Sequence, residues 1–206
     1  MEILHEFIRH KELAQIQEAV FKNGKSVVLI HGAAGWGKTL LTHQFMDKHS
    51  AKKNELIEIT TGFPVYNEIL NPESGNRIKS KIMEMEYPRD TYTKEFLDST
   101  ADLYFYISRE ESPELLEEIS VFPKDKIFKL KLNSLTEDQA FELIKRHVKG
   151  QLLNPVLKEI FEISEGNPLL INTLLHYYKS TNTSIQEILY NIKNPLQKHG
   201  IFDNNG

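Results

Sequence analysis

A short apolar run followed directly by a glycine-rich turn is the feature that most constrains the fold of this chain. Residues 26–30 (SVVLI) are apolar on both faces, as a central strand of a parallel sheet is. Residues 32–39 (GAAGWGKT) form the turn, and residues 40–49 (LLTHQFMDKH) continue it as a helix with one apolar side. A buried strand that enters a helix through a tight turn predicts an α/β fold.

The turn matches the pattern G-x-x-x-x-G-K-[ST] at every fixed position. Its glycines let the backbone curl so that N–H groups face phosphate oxygens, and the helix start adds further unpaired N–H groups. In this pattern Lys38 neutralises the β- and γ-phosphates, and the Thr39 hydroxyl is a ligand of Mg²⁺. The turn therefore predicts binding of ATP or ADP with Mg²⁺ by Gly32, Ala33, Ala34, Gly35, Trp36, Gly37, Lys38, Thr39 and Leu40.

The remaining segments alternate between strands and helices and then become helical only. Apolar runs predict strands at residues 56–60, 103–107 and 127–132 and a helix at 113–119, whereas residues 78–85 are expected to form one or two helical turns. Capping signals then start four helices, at Thr136, Asn154, Asn167 and Ser184. We expect a three-layer α/β domain with a parallel sheet over residues 1–135, a small helical bundle over 136–194 and a flexible tail over 195–206.

Beyond the turn, four segments resemble the STAND branch of the AAA+-related ATPases, a group of P-loop NTPases that includes NACHT and NB-ARC domains. Residues 7–13 (FIRHKEL) are similar to the F-x-G-R-x-x-E-L segment beside the adenine, with Arg9 where the glycine usually is. Residues 106–109 (YISR) resemble the strand that ends in T-S-R, so Arg109 is the candidate sensor 1 residue for the γ-phosphate. Residues 130–142 are similar to a strand-and-helix signature, and residues 166–168 (GNP) resemble the G-x-P motif, which implies that Pro168 packs against the base.

The resemblance also implies a Walker B strand, four apolar residues that end in acidic residues, between the second strand and sensor 1. Its carboxylate holds the magnesium shell and polarises the attacking water. No such strand is evident between residues 62 and 98, and neither Glu58 nor Asp98 nor Asp102 is suitably placed. Because loss of that carboxylate lowers hydrolysis more than binding, we expect slow or absent turnover, with Lys38 and Arg109 as the candidate catalytic residues.

Composition and charge limit the partners. A net charge of −4 leaves no surplus of Lys and Arg for nucleic acid, and the chain has no cysteine for a disulfide or a thiolate site. Without a secretory signal or a run of about 20 apolar residues, we expect a cytoplasmic protein with no membrane association.

The resemblance implies a nucleotide-dependent switch used in signal transduction, in which ATP or ADP pins the helical bundle against the α/β core. Such a domain would act on a partner protein or through self-association. The alternatives are an AAA+ loader or origin-recognition-type ATPase acting on DNA, a small-molecule kinase, and a non-catalytic nucleotide-binding scaffold.

Overall fold

A computed structural model describes residues 9–51, 59, 63–85, 101–148, 153–180 and 184–193. The described residues form a five-stranded sheet and seven α-helices, so the α/β fold class is confirmed. The chain divides into two compact units, with the boundary between Asn133 and Ser134. The predicted strand at residues 56–60, except for Ile59, and the predicted tail at 195–206 lie outside the described residues.

The first unit contains the sheet and the helices around it. Its elements in chain order are α1 (His10–Gln17), which continues as a π-helical turn (Glu18–Lys22), β1 (Val27–His31), α2 (Lys38–His49), β2 (Val65–Leu70), β3 (Arg77–Met85), β4 (Leu103–Ser108), α3 (Pro113–Ile119), a 3-10 turn (Lys124–Lys126) and β5 (Ile127–Lys131).

The strands lie side by side in the order β2-β3-β4-β1-β5. β1 pairs in parallel with β4 and β5, and β4 pairs in parallel with β3. The sheet differs from the predicted parallel one at a single edge, where β2 runs antiparallel to β3. The six residues between these strands form a tight turn in which Gly75 has φ +71 and donates its N–H to the carbonyl of Asn71, at 2.8 Å. A turn this short permits only antiparallel pairing, because a parallel connection needs a dozen residues or more.

The stretch between residues 62 and 98, where no Walker B strand was evident in the sequence, contains the strands β2 and β3. The prediction of helical turns at 78–85 is wrong, because these residues belong to β3. β3 lies inside the sheet beside β4, in a register from Ser80 opposite Leu103 to Met85 opposite Ser108. The sequence concealed it because Lys79 and Lys81 interrupt the apolar residues of its first half. A run of four apolar residues is therefore too strict a criterion for this strand.

Apolar side chains cover both faces of the sheet and produce the three layers. On one face, α1 and α2 bury Ile16, Phe45 and Met46 against Val28, Ile30 and Phe105. On the other face, α3 buries Leu115 and Ile119 against Val27, Leu29, Tyr104 and Tyr106. Each such side chain contributes about 1.5–3 kcal/mol when it is fully buried.

The second unit consists of helices: α4 (Glu137–Val148), α5 (Asn154–Ser164), α6 (Pro168–Ser180) and α7 (Ile185–Lys193). The capping box before α4 is formed, since the Thr136 N–H donates to Gln139 Oε1 at 3.0 Å and the Gln139 N–H donates to Thr136 Oγ1 at 3.4 Å. Ser184 caps α7 by accepting the Glu187 N–H at 3.2 Å. None of the helices in the described part of the chain is both long and apolar enough to cross a bilayer.

Candidate functional site: a glycine-rich loop at the carboxyl edge of the sheet

The loop between β1 and α2 requires glycine at three positions. Gly32, Gly35 and Gly37 have φ values of +147, +79 and +85, which residues with a side chain rarely adopt. A Cβ on Gly32 would also lie 2.5 Å from the carbonyl oxygen of Leu132 and 2.9 Å from the Trp36 ring. The loop is therefore packed against the end of β5 as closely as a backbone allows.

Lys38 lies over this loop from the first position of α2. Its Nζ donates to the carbonyl oxygens of Gly32 at 2.7 Å and Ala33 at 3.0 Å. Burial lowers the pKa of Lys38, while the charge of Glu84 raises it and that of Arg109 lowers it. Because Gly37, the residue that precedes α2, offers no side-chain cap, the first N–H groups of the helix remain available for an anion. A cation and a set of backbone donors in one concave turn fit a polyphosphate.

Glu84 is a candidate functional residue that the sequence pattern did not reveal. It lies at the carboxyl end of β3, and its Oε1 accepts the hydroxyl proton of Thr39 on α2. The signal that could have found it is residues 82–84 (IME), an apolar pair followed by an acid. Oxygen ligands from Thr39 and Glu84 are of the type that Mg²⁺ prefers, so these two residues fit a magnesium ion beside the phosphates.

Arg109 follows β4 and lies beside the loop. Its carbonyl accepts the Gly32 N–H at 3.2 Å, and its charge acts on Lys38. The segment after it is anchored by Glu111, whose carboxylate oxygens lie 3.0 Å from His31 Nε2 and 3.0 Å from Lys129 Nζ. The structure therefore brings Arg109 together with the loop, and its role as sensor 1 stays a prediction.

The other predicted nucleotide ligands are in three environments. Ala33 and Ala34 are exposed on the loop, whereas Trp36 and Leu40 are half-buried. Arg9 is buried and donates to the Trp36 carbonyl at 3.0 Å. Pro168 is a buried residue at the start of α6 in the second unit, and its contact with the base stays a prediction.

A glycine-rich loop runs from the central strand β1 into α2, and Glu84 lies near the carboxyl end of β3 in the same sheet. This arrangement is the fold of a P-loop NTPase. No model of a known protein family matches the sequence, and a comparison with curated proteins finds no match.

Solved structures with the same fold support this class. A STAND protein (signal transduction ATPase with numerous domains) with a tetratricopeptide repeat sensor from Pyrococcus horikoshii is 17% identical, with a TM-score of 0.56 over 93% of this chain and 33% of that one. A Walker-type ATPase of Pyrococcus abyssi is 12% identical, with a TM-score of 0.55 over 94% of this chain and 74% of that one. A variant of RuvB from Thermotoga maritima is 18% identical, with a TM-score of 0.58 over 89% of this chain and 67% of that one.

These identities are low, so what the chain shares with the three proteins is the fold of nucleotide-binding, ATPase-type domains. The chain spans about one third of the length of the STAND protein.

Proposed function

We propose that this chain is a STAND-like ATP- or ADP-binding domain that acts as a nucleotide-dependent switch and hydrolyses ATP slowly. The observation that carries the proposal is the meeting of Lys38, Thr39, Glu84 and Arg109 at one edge of the sheet. Two strands and one helix carry these residues, and each residue has a distinct task in phosphate binding.

Magnesium would be held by Thr39 and Glu84. When bound, the ion neutralises charge that develops on the phosphate oxygens. The chain's own contribution is the positioning of its two oxygen ligands, which the hydrogen bond between them already brings together. By this proposal Glu84 on β3 is the magnesium-shell carboxylate that the sequence pattern did not reveal, so slow turnover is expected for a different reason.

We base the expectation of slow turnover on Met85, the residue that follows Glu84. In the family that the chain resembles, one or two acidic residues end the Walker B strand, and the attacking water needs a carboxylate to polarise it. Here Glu84 contacts Thr39, and the next position is Met85, whose side chain is buried in the apolar cluster on the α3 face. Glu86 lies outside the described residues. Because Glu84 is bound to Thr39, the proposed magnesium ligand, it is not free to polarise the attacking water, and we expect ATP binding to be favoured over ATP hydrolysis.

We infer the switch role from the STAND neighbour, which is described as a signal transduction ATPase with a sensor. By this proposal the chain works with a protein partner, through self-association or as part of a longer protein. A non-catalytic nucleotide-binding scaffold is the second candidate, and Met85 at the position after Glu84 favours it.

The test is a titration of ATP and ADP against Trp36 fluorescence, with phosphate release measured in parallel. Trp36 is the only tryptophan, and its ring packs on Gly32 inside the loop, so its emission should change on binding. We expect Lys38→Ala to weaken binding by about tenfold or more, since charged hydrogen bonds are among the stronger contacts. Lys48→Ala, at the exposed far end of the same helix, is the matched control and should bind as wild type does.

Glu84→Gln should remove most of the dependence of ATP affinity on magnesium while it leaves magnesium-free binding intact. Phosphate release by wild type above about 1 per second, an ordinary rate for phosphoryl transfer, would refute slow hydrolysis. Absence of binding by wild type would refute the proposal as a whole. Nucleotide binding by Glu84→Gln with unchanged magnesium dependence would refute the role given to this carboxylate.

A further inference from the structure

Arg9 is a charged side chain buried behind the P-loop, and the function proposed above gives it no task. It immediately precedes α1, and only 2% of it is exposed. Its guanidinium joins the start of α1 to two segments that are distant in sequence. Nη1 donates to Glu12 Oε1 at 3.0 Å, and Nη2 donates to the carbonyl oxygens of Trp36 at 3.0 Å and Asn133 at 2.5 Å. A guanidinium is always charged and costs free energy to bury unless it is hydrogen-bonded, so these contacts hold it firmly in place.

The contact with Trp36 fixes a peptide group of the P-loop itself. The carbonyl of Trp36 and the N–H of Gly37 belong to one planar trans peptide, in which they point in opposite directions. With the carbonyl held by Arg9, the Gly37 N–H is turned away from Arg9. Gly37 has φ +85, a left-handed conformation of the kind that lines up successive N–H groups into an anion-binding concavity.

The contact with Asn133 fixes the same guanidinium to the sheet. The chain leaves β5 through Leu132 and Asn133, and the Leu132 N–H donates to the carbonyl of His31 at 2.8 Å. The Leu132 carbonyl is also the backbone that Gly32 approaches most closely. Arg9 therefore links Trp36 in the loop to Asn133, the residue after Leu132, against which the first residue of the loop packs.

We propose that Arg9 is a positioning residue that presets the Trp36–Gly37 peptide to donate to phosphate. The proposal rests on the proposed nucleotide function and deepens it, because it assigns Arg9 to the polyphosphate through the loop and not to the base. A lysine in its place would keep the charge but could not bridge two carbonyls and a carboxylate with one planar fork.

The experiment compares ATP with inorganic triphosphate, each with Mg²⁺, as a competitor of a fluorescent ATP analogue. Arg9→Lys should weaken both ligands by the same factor, about tenfold or more, because the lost contact acts on phosphate alone. Arg9→Gln is neutral, so it avoids burying an unpaired charge, and it should show the same equal loss. Glu12→Gln is the control, since it breaks the ion pair and leaves both carbonyl contacts; its affinities should stay within about threefold of wild type.

Three results would overturn the positioning role while nucleotide binding by wild type stands. One is an Arg9 variant that binds ATP as tightly as wild type. Another is an Arg9 variant that loses ATP but keeps inorganic triphosphate, which would place Arg9 at the base. The third is failure of both Arg9 variants to fold, which thermal unfolding would reveal and which would make the residue a stabiliser of the fold. Absence of ATP binding by wild type would instead refute the proposed function.

Discussion

Glu118 gives the chain a stability that depends on pH. It lies on α3 with 9% of its surface exposed, packed towards the sheet near Tyr106. Burial raises the pKa of Glu118 from 4.5 to about 7, although the Tyr106 hydroxyl lowers it in part. The folded protein therefore holds the carboxyl in its neutral form at a pH where the unfolded chain ionises it.

The size and sign of the effect follow from these values. A raised pKa means that the folded chain binds the proton more tightly, so the contribution to stability is complete below pH 4.5 and is lost as pH rises through about 7. The difference between the two pKa values corresponds to about 3 kcal/mol. Glu118→Gln has no proton to lose and keeps nearly the same shape, so it should lack this dependence.

The assay is urea unfolding of wild type and Glu118→Gln at pH 4 and pH 8. We expect the free energy of unfolding of the variant, relative to wild type, to rise by about 3 kcal/mol between the two pH values. Other groups titrate equally in both proteins and cancel. Glu117→Gln, at an exposed neighbouring position on α3, should change by less than about 0.5 kcal/mol. A relative stability of Glu118→Gln that does not vary with pH would refute the reasoning.

Two glycine substitutions test the backbone of the two units. Gly32→Ala should abolish detectable binding of ATP in the Trp36 titration, because its Cβ would meet the Leu132 carbonyl at 2.5 Å in a loop that needs φ +147. Gly166→Ala, with φ +70 and a Cβ at 2.3 Å from the Leu135 carbonyl, should destabilise the second unit by about 2 kcal/mol or more in thermal unfolding. Gly75→Ala is the control for both, because Gly75 has φ +71 but open space around it. If Gly75→Ala lowered ATP binding or stability as much as the other two substitutions do, backbone strain and not the steric clash would be responsible.

The parts of this protein that the sequence determines are those whose interactions are local. The P-loop consists of eight consecutive residues, and the Thr136–Gln139 capping box of four. The strand predicted at residues 103–107 is observed at Leu103–Ser108, and the helix predicted at 113–119 is observed at Pro113–Ile119. In each case neighbours along the chain satisfy the backbone hydrogen bonds or set the buried face, so no knowledge of distant residues is needed.

Tertiary structure alone decides the rest of the site. Thr39 and Glu84 are 45 residues apart, and Arg9 and Asn133 are 124 apart. The carboxylate reaches the P-loop because β3 lies beside β4 in the sheet, with Glu84 opposite Ile107, and Ile107 in turn opposite Ile30 near the end of β1. Strand order and register depend on side-chain packing over whole faces of the sheet, whereas Lys79 and Lys81 made the local pattern of β3 look irregular. The burial and the partner of a charged residue in a strand can be predicted only when the neighbouring strand is known.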